Sequence, residues 1–553
     1  MYLEEASRAS VLDDFSKVLS RQLKGWREHE LIETTFNKYC VEASPRPKYW
    51  NEDSFRKYVT SSPHIKMSEL EIGLLWRSFS HYAYHPFPHQ ESEIDFAAFK
   101  RAAVLLVFQA DDLIGTQEMD GGTEYHWRQD ATHHANARHG RLFRSLGVPG
   151  KSGPSPEQTE ELLGEAADAM ALSGPKFVHR GPTPEELKAV ARRFLEGSVR
   201  SREVRREEIE TLVGLLGRLS IKENKWGSNG AFYNHGDILE ASSSSVELSK
   251  ILAGGLVEDM NLDPFTANEA LKAVELMPNL LLRFYQLWAV IFQPRVPTTS
   301  EPYTPPQPDE KGAIIRSLLL FVPHIVAGKR FARTISQPTE EISITPIPSR
   351  DKDKTLSRLL GQPTVPGDCK ECVVLFSGTV SSGAGTAVIG VYFSRPLNGG
   401  GGQLGNASPY LLFQLRPRFR VLKGQHGILL RDPISAQAEE GQQANGTYMV
   451  EVGRPRQGKL EVRPWKGGMV LVGAGELLSK EKEQGRPTWE VAAKNCRMDI
   501  FGVNGGVLAG VEGERDSGYR EDYGRKIEVA SDDSPARVTG DELLKRIQGF
   551  GPG

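Results

Sequence analysis

Apolar positions in the first 292 residues recur at helical spacing. In SREVRREEIETLVGLLGRLS, Ile209, Leu212, Val213, Leu216 and Leu219 form one stripe, the mark of an amphipathic helix. Thr183-Pro184-Glu185-Glu186 is a capping box with proline at the first helical position, so a helix is expected to start there. The most apolar window, Leu276 to Phe292, carries Pro278, Asn279, Arg283 and Gln286, which suits a buried helix better than a membrane span. After about residue 310 the pattern changes. A helical stretch from Ala313 to Val326 leads into short apolar runs: CVVLFSGTV, TAVIGVYFS, YLLFQL, RFRVL, YMVEV, MVLVGAG and MDIFGV. Their composition and alternation predict β-strands.

Composition sharpens the division. Thirty-three of the 55 glycines fall in the last 193 residues, as tight turns between short strands require. PRVPTTSEPYTPPQP, residues 294–308, holds six prolines and reads as a stiff linker. The expected fold class is α+β, with these parts: 1–149 helical, 157–292 helical, 293–310 a Pro-rich linker, 311–510 a β-sandwich, and 511–553 a polar tail. One short capped helix is expected in the tail, over 539–548. The 68 Lys+Arg nearly balance 71 Asp+Glu, so charge favours neither nucleic acid nor an acidic membrane. Four cysteines are too few for a disulfide scaffold. The N-terminal MYLEEASRASVLDDF shows neither a basic nor an apolar leader pattern and has Tyr2 where myristoylation needs glycine, so neither a signal peptide nor myristoylation is expected. A cytoplasmic protein without a transmembrane segment is expected.

Each candidate for chemistry fails a test of context. Cys369-Lys370-Glu371-Cys372 precedes a strand, whereas a redox CxxC opens a helix, and a zinc site would need a second pair of ligands. Gly400-Gly401-Gly402-Gln403-Leu404-Gly405 fits GxGxxG but leads into a strand, not the helix that holds a pyrophosphate. Gly150-Lys151-Ser152 has Ser145 where a phosphate loop needs its first glycine. His81, His85 and His89, and then His126, His133, His134 and His139, cluster without the HExxH spacing. There is no G-x-S-x-G elbow, and the Asn445-Gly446-Thr447 sequon has no meaning without a secretory route. No catalytic, cofactor-binding or metal-ligating residue is nominated, and no cofactor is expected.

One failed motif is informative. Between ELEIGLLWRSFSHYA and the helix opened by Ile94-Asp95-Phe96, the chain resembles an EF-hand with Ile94 at loop position eight. Phe87, His89 and Ala98 then stand at positions one, three and twelve, where calcium needs oxygen ligands. The resemblance implies an EF-hand-like scaffold without calcium.

From about Lys311 to Val503 the order of features resembles a TLDc domain, the module of oxidation-resistance proteins and of restriction-of-telomere-capping-like proteins. IIRSLLLFVPHIVAGKR resembles the opening helix, RDKDKTLSRLLGQ the loop helix, and CVVLFSGTVSSGAGTAVIGVYFSRP the first strand pair. Tyr410-Leu411-Leu412-Phe413-Gln414-Leu415-Arg416-Pro417-Arg418-Phe419-Arg420-Val421 resembles the family's apolar-Phe-x-Leu-x-Pro-x-Phe-x-Val element. Residues 466–472 resemble a shortened glycine-run strand. Met498 to Val503 resembles the closing strand, with Phe501 in place of tryptophan, and 486–490 is a reduced remnant of another family segment. The resemblance implies a two-sheet β-sandwich with Phe413, Leu415, Phe419 and Val421 inward and Arg416, Arg418 and Arg420 in water. It also implies a non-enzymatic interaction protein that binds the vacuolar proton-pumping ATPase, modulates its assembly, and lies peripherally at the vacuole or lysosome membrane. A scaffold in membrane trafficking, nutrient signalling or oxidative-stress resistance is the alternative. An antioxidant enzyme, suggested by the family's name, lacks a supported nucleophile.

Overall fold

The structure is a computed structural model. It describes most of residues 6–295, together with 310–322, 334–343, 372–381, 385–393, 410–424, 428–431, 448–452, 458–463, 468–474 and 488–504. The tail, the GxGxxG segment and most of the Pro-rich segment lie outside the described residues.

The first half is mainly helical: α1 (Arg8–Ser20), α2 (Trp26–Tyr39), α3 (Glu52–Thr60), α4 (Glu69–Ala83) and α5 (Phe96–Leu106). A 3-10 turn (Ala110–Leu113), the short strands β1 (Thr116–Glu118) and β2 (Glu124–His126), and α6 (Ala131–Leu146) follow. Next come β3 (Val148–Pro149), α7 (Pro156–Ser173), α8 (Pro184–Leu195), β4 (Arg202–Glu203) and α9 (Arg206–Arg218). The hairpin β5 (Leu219–Ser228) and β6 (Ala231–Ile238) then precedes α10 (Ser243–Val257), α11 (Ala267–Leu276) and α12 (Leu280–Ile291). Local chemistry accounts for the helix starts. Thr183 and Glu186 form the expected capping box on α8, and Ser68 with Glu71 caps α4 in the same way. The stripe on α9 is buried at Ile209, Leu212, Val213 and Leu216. Leu219 is also buried but belongs to β5, a hairpin that the expectation of an all-helical 157–292 omits.

The apolar window 276–292 is a core helix, as its polar residues suggested. Arg283 donates from Nη2 to the carbonyls of Leu219 (2.7 Å) and Leu216 (3.3 Å), which ties α12 to the end of α9 and the start of β5. Trp288 and Phe292 pack among Phe55, Phe79 and Phe99. No helix among the described residues is long and apolar enough to cross a membrane.

The second half opens with α13 (Glu310–Phe321) and then runs in strands: β7 (Thr334–Ser343), β8 (Cys372–Val380), β9 (Thr386–Phe393), β10 (Tyr410–Arg416) and β11 (Arg420–Gly424). β12 (Ile428–Arg431), β13 (Tyr448–Val452), β14 (Gly458–Arg463), β15 (Gly468–Ala474) and β16 (Thr488–Asn504) complete it. All pair antiparallel in one ten-stranded sheet of order β11-β10-β9-β8-β16-β15-β14-β13-β12, with β7 also on β16. In place of the two expected sheets, these strands form one sheet whose two parts are joined through β16. Its residues 488–493 pair with β15, and from 493 onward it pairs with β8. The register breaks between Lys494 and Arg497, where Asn495 takes φ 53°, so a bulge lies where β16 passes from its pairing with β15 to its pairing with β7. Gly378 faces this bulge, because a Cβ there would stand 2.7 Å from the Lys494 carbonyl and 2.9 Å from Cys496 Sγ. β11 and β12 end opposite edges of the sheet yet are joined by residues 425–427, a reach of at most roughly 14 Å. The sheet must therefore fold back on itself, and β13 does approach both β10 and β11.

One buried apolar cluster runs from Phe15 to Phe419. It includes α12 on one side of the Pro-rich segment and α13, β8, β9 and β10 on the other. The boundary expected at 293–310 therefore joins two parts of a shared core. β10 and β11 pair with Phe413 opposite Val421. Phe413, Leu415 and Phe419 are buried and Val421 is partly so, as expected. Arg416 overturns its assignment to water: it is 7 % exposed. The reason is that α10 packs on β10, and Phe321 of α13 meets Phe413 and Phe419. Both faces of β10 are covered, and Leu411 to Arg416 are all buried. Arg418 is exposed and Arg420 is half-buried.

Candidate functional site

A dense constellation of buried charge lies inside the helical half. α6 is amphipathic, but its buried face mixes Leu142, Phe143 and Leu146 with Arg141 and Arg144. Arg141 donates from Nε to Asp111 Oδ1 at 2.7 Å, and Arg138 from Nε to Oδ2 at 3.3 Å. The Tyr285 hydroxyl from α12 donates to Oδ2 at 2.5 Å, and the Arg138 guanidinium stacks on the Tyr285 ring. One helical turn on, Arg144 pairs with Glu161 at 2.7 Å and with Glu165, both on α7. A hydroxyl pair, Ser78 to Ser145 at 2.8 Å, ties α4 to α6.

Burial alone would raise the Asp111 pKa, but the Arg141 and Arg138 charges and two hydrogen bonds outweigh it. The carboxyl is held well below the usual range. Glu165 shifts the other way, because burial outweighs its two arginine neighbours. Burial, with the charges of Arg202, Arg144 and Arg141, pushes His81 far down. Burial, reinforced by Arg141, takes His85 down to about 3. Both imidazoles are neutral at pH 7. Both ring nitrogens of His81, Nε2 of His85, Oη of Tyr82 and Nη1 of Arg141 have no hydrogen-bond partner among the described residues. The arrangement joins α4, α6, α7, α12 and the 3-10 turn through buried charge. With its acid held ionised and its histidines neutral and buried, it is suited to fixing helices in place.

The histidine clusters divide accordingly. His81 and His85 meet with ring centroids 6.3 Å apart, and His139 is buried on α6. His89, and the side chains of His126, His133 and His134, lie outside the described residues. Among the described residues no group of three His, Cys, Asp or Glu could hold a metal ion. Cys369 lies outside them, and Cys372 opens β8. The buried Cys496 thiol is pushed up to about 11 by burial, so it is protonated at neutral pH. Asp111 went unnoticed in the sequence. Its signal was the Arg138, Arg141, Arg144 spacing, which repeats every third residue beside the apolar Leu142, Phe143 and Leu146.

Near the N-terminus, α2–α3 and α4–α5 form two helix–loop–helix units. Trp50 and Ile94, one from each loop, exchange backbone hydrogen bonds of 2.8 and 2.7 Å. Asp95 Oδ1 accepts from the Ala98 amide at 2.8 Å as the N-cap of α5, and Ala98 is buried.

A second constellation lies where the helices meet the sheet. Arg416 Nη1 pairs with Glu310 of α13 at 2.8 Å, and Nη2 with Glu247 of α10 at 3.3 Å. Arg418 pairs with Glu258, just past α10. Gly255 lets α10 close on the hairpin, since a Cβ there would stand 2.8 Å from the Phe419 carbonyl.

No family model, curated protein or solved structure matches this chain.

Proposed function

We propose that the chain is a non-enzymatic interaction protein on a TLDc-like sandwich, which binds peripheral-sector subunits of the vacuolar proton-pumping ATPase and modulates their assembly. The observation that carries this reading is the strand pair over Tyr410–Val421. The segment that most resembles the family folds as two adjacent strands with Phe413, Leu415 and Phe419 buried, within an antiparallel sheet that follows a helical region. The paired helix–loop–helix units, bridged through Trp50 and Ile94, support an EF-hand-like N-terminal part in which Phe87 and Ala98 occupy ligand positions. Because helices and sheet share a core, they present a rigid composite surface. Two contacts held at fixed separation raise the effective concentration of the second. The protein then sits at the vacuole or lysosome membrane through its partner.

Affinity purification of the tagged full-length chain, followed by mass spectrometry, tests this. Peripheral-sector subunits are the expected catch. Recovery of trafficking or nutrient-signalling components in their place would support the scaffold alternative and refute the ATPase reading. Purified protein is expected to consume peroxide no faster than buffer, in keeping with the protonated thiol of Cys496.

A further inference from the structure

We propose that Ser243 is a phosphorylation site whose phosphoryl group closes a half-used guanidinium fork on Arg416. Four serines, Ser242 to Ser245, open α10. The helix itself uses two of them: Ser242 Oγ accepts from the Ser245 amide at 3.1 Å, and Ser245 Oγ accepts from the Ser242 amide at 2.9 Å. Ser243 takes no part in that box and is exposed. Glu247 stands four residues on, on the same helix face. Side chains on a helix lean toward its N-terminus, so the Glu247 carboxylate, and the Arg416 guanidinium that meets it, lie over the first turn.

Arg416 is the cation that such a group would meet. Only 7 % exposed, it arrives from the end of β10. Nη1 is well used by Glu310 at 2.8 Å. The opposite edge, Nε with Nη2, has a single 3.3 Å contact to Glu247, and Nε is buried without a hydrogen-bond partner. That edge presents two parallel N–H groups, the geometry a phosphate accepts in bidentate fashion. A phosphoserine adds close to two negative charges and three acceptor oxygens, and the positive end of α10 favours them. Glu247, whose side chain is 61 % exposed, gives way to solvent. Glu310 stays on Nη1, so the modification tightens the junction of α10, β10 and α13.

The reaction is phosphoryl transfer from a nucleoside triphosphate by a serine kinase. The bond from Ser243 Oγ to the γ-phosphorus forms and the bond to the β,γ-bridging oxygen breaks. The nucleoside diphosphate leaves with the electron pair, and the serine proton passes to the kinase's base. Glu240 and Glu247 flank the serine, which suits a kinase that selects acidic surroundings.

The test uses the full chain with phosphoserine encoded at position 243. Its melting temperature is expected to rise by about 2 °C or more over the unmodified chain, with slower amide exchange in β10 and the first turn of α10. Arg416→Lys keeps the charge and removes the fork, and should abolish the rise. Glu247→Gln leaves Arg416 in place and should enlarge it. No rise in the native background, or an equal rise with Arg416→Lys, overturns the proposal. So does a peptide spanning 240–250 that mass spectrometry finds wholly unmodified in both growing and stressed cells.

Discussion

Asp111, itself fully buried, holds two arginines and a tyrosine, so its removal strands the buried charge of Arg141. Asp111→Ala leaves Arg141 buried and uncompensated and should cost about 3–5 kcal/mol in denaturant unfolding. The histidines beside it set the response to acid. His85 faces Arg141 and Arg144 from α6, Asp111 from the 3-10 turn, Asp168 from α7 and the Phe15 ring from α1. Its folded pKa lies below the ordinary 6.5, as does that of His81. The stability of the neutral forms is therefore fully present above pH 6.5 and is lost as pH falls, by about 1.4 kcal/mol per unit for each histidine. Asp111 joins the loss only below its ordinary 3.8. Melts between pH 6.5 and 4.5 should show this slope, and His81→Gln/His85→Gln should remove more than half of it. At the strand pair, Phe419→Ala should cost about 3–5 kcal/mol. Arg416→Ala should cost about 1–3 kcal/mol, because a buried guanidinium with two carboxylate partners is lost. Arg418→Ala should cost under about 1 kcal/mol, since its pair with Glu258 is partly exposed. Equal losses at all three positions would mean that the hairpin is not seated as described. The alternation of Phe419, Arg420 and Val421 was legible as a strand, but the burial of Arg416 was not. Its partners lie 106 and 169 residues away in sequence, and no local pattern encodes them.

At the scale of elements, capping and periodicity were legible wherever they act within one turn. The Thr183 box, the α9 stripe and seven strand runs all stand close to their expected positions. What escaped were elements whose stability comes from neighbours. β7 carries Pro338 and a Glu340-Glu341 pair and is held by register with β16. β12 and β14 are short, and the β5–β6 hairpin follows α9 without a break that a helical reading would notice. The second helix–loop–helix unit was legible from Ile94-Asp95-Phe96, but its partner was not, because the first loop, around Trp50, has no ligand pattern. The unit also yields a prediction. Asp95 caps α5, so Asp95→Ala should lower stability by about 1 kcal/mol through the lost cap. The loss should be the same in calcium as in chelator, because Phe87 and Ala98 are packed in apolar clusters. A micromolar calcium site in titration calorimetry, abolished by Asp95→Ala, would overturn this.

At the scale of the whole molecule, one buried apolar cluster takes in residues on either side of the Pro-rich segment. Just before it, Arg295 stacks on Tyr58 and donates from Nη2 to the Tyr58 carbonyl at 2.6 Å, anchoring the end of the helical half. Just after it, α13 turns back onto that half. Asn279 donates to the carbonyls of Leu319 and Val322, and Arg316 to that of Gly217. On its other side, Phe321 packs against Phe413 and Phe419. α13 is thus a wedge between helices and sheet, and removing either neighbour exposes apolar surface. A protease site placed within 296–309 should cut readily, as its proline density leaves few backbone N–H groups for regular structure. The two pieces should then co-elute in size-exclusion chromatography and unfold together in one denaturant transition, since the covalent link contributes little beside the shared core. A fragment beginning at 310 and expressed alone should aggregate, with Phe321 and the α10-facing side of the hairpin uncovered. Clean separation of the nicked halves into two stable folded species would show that the cluster running from Phe15 to Phe419 is two cores in contact, and that the seam at Arg416 is an interface between domains.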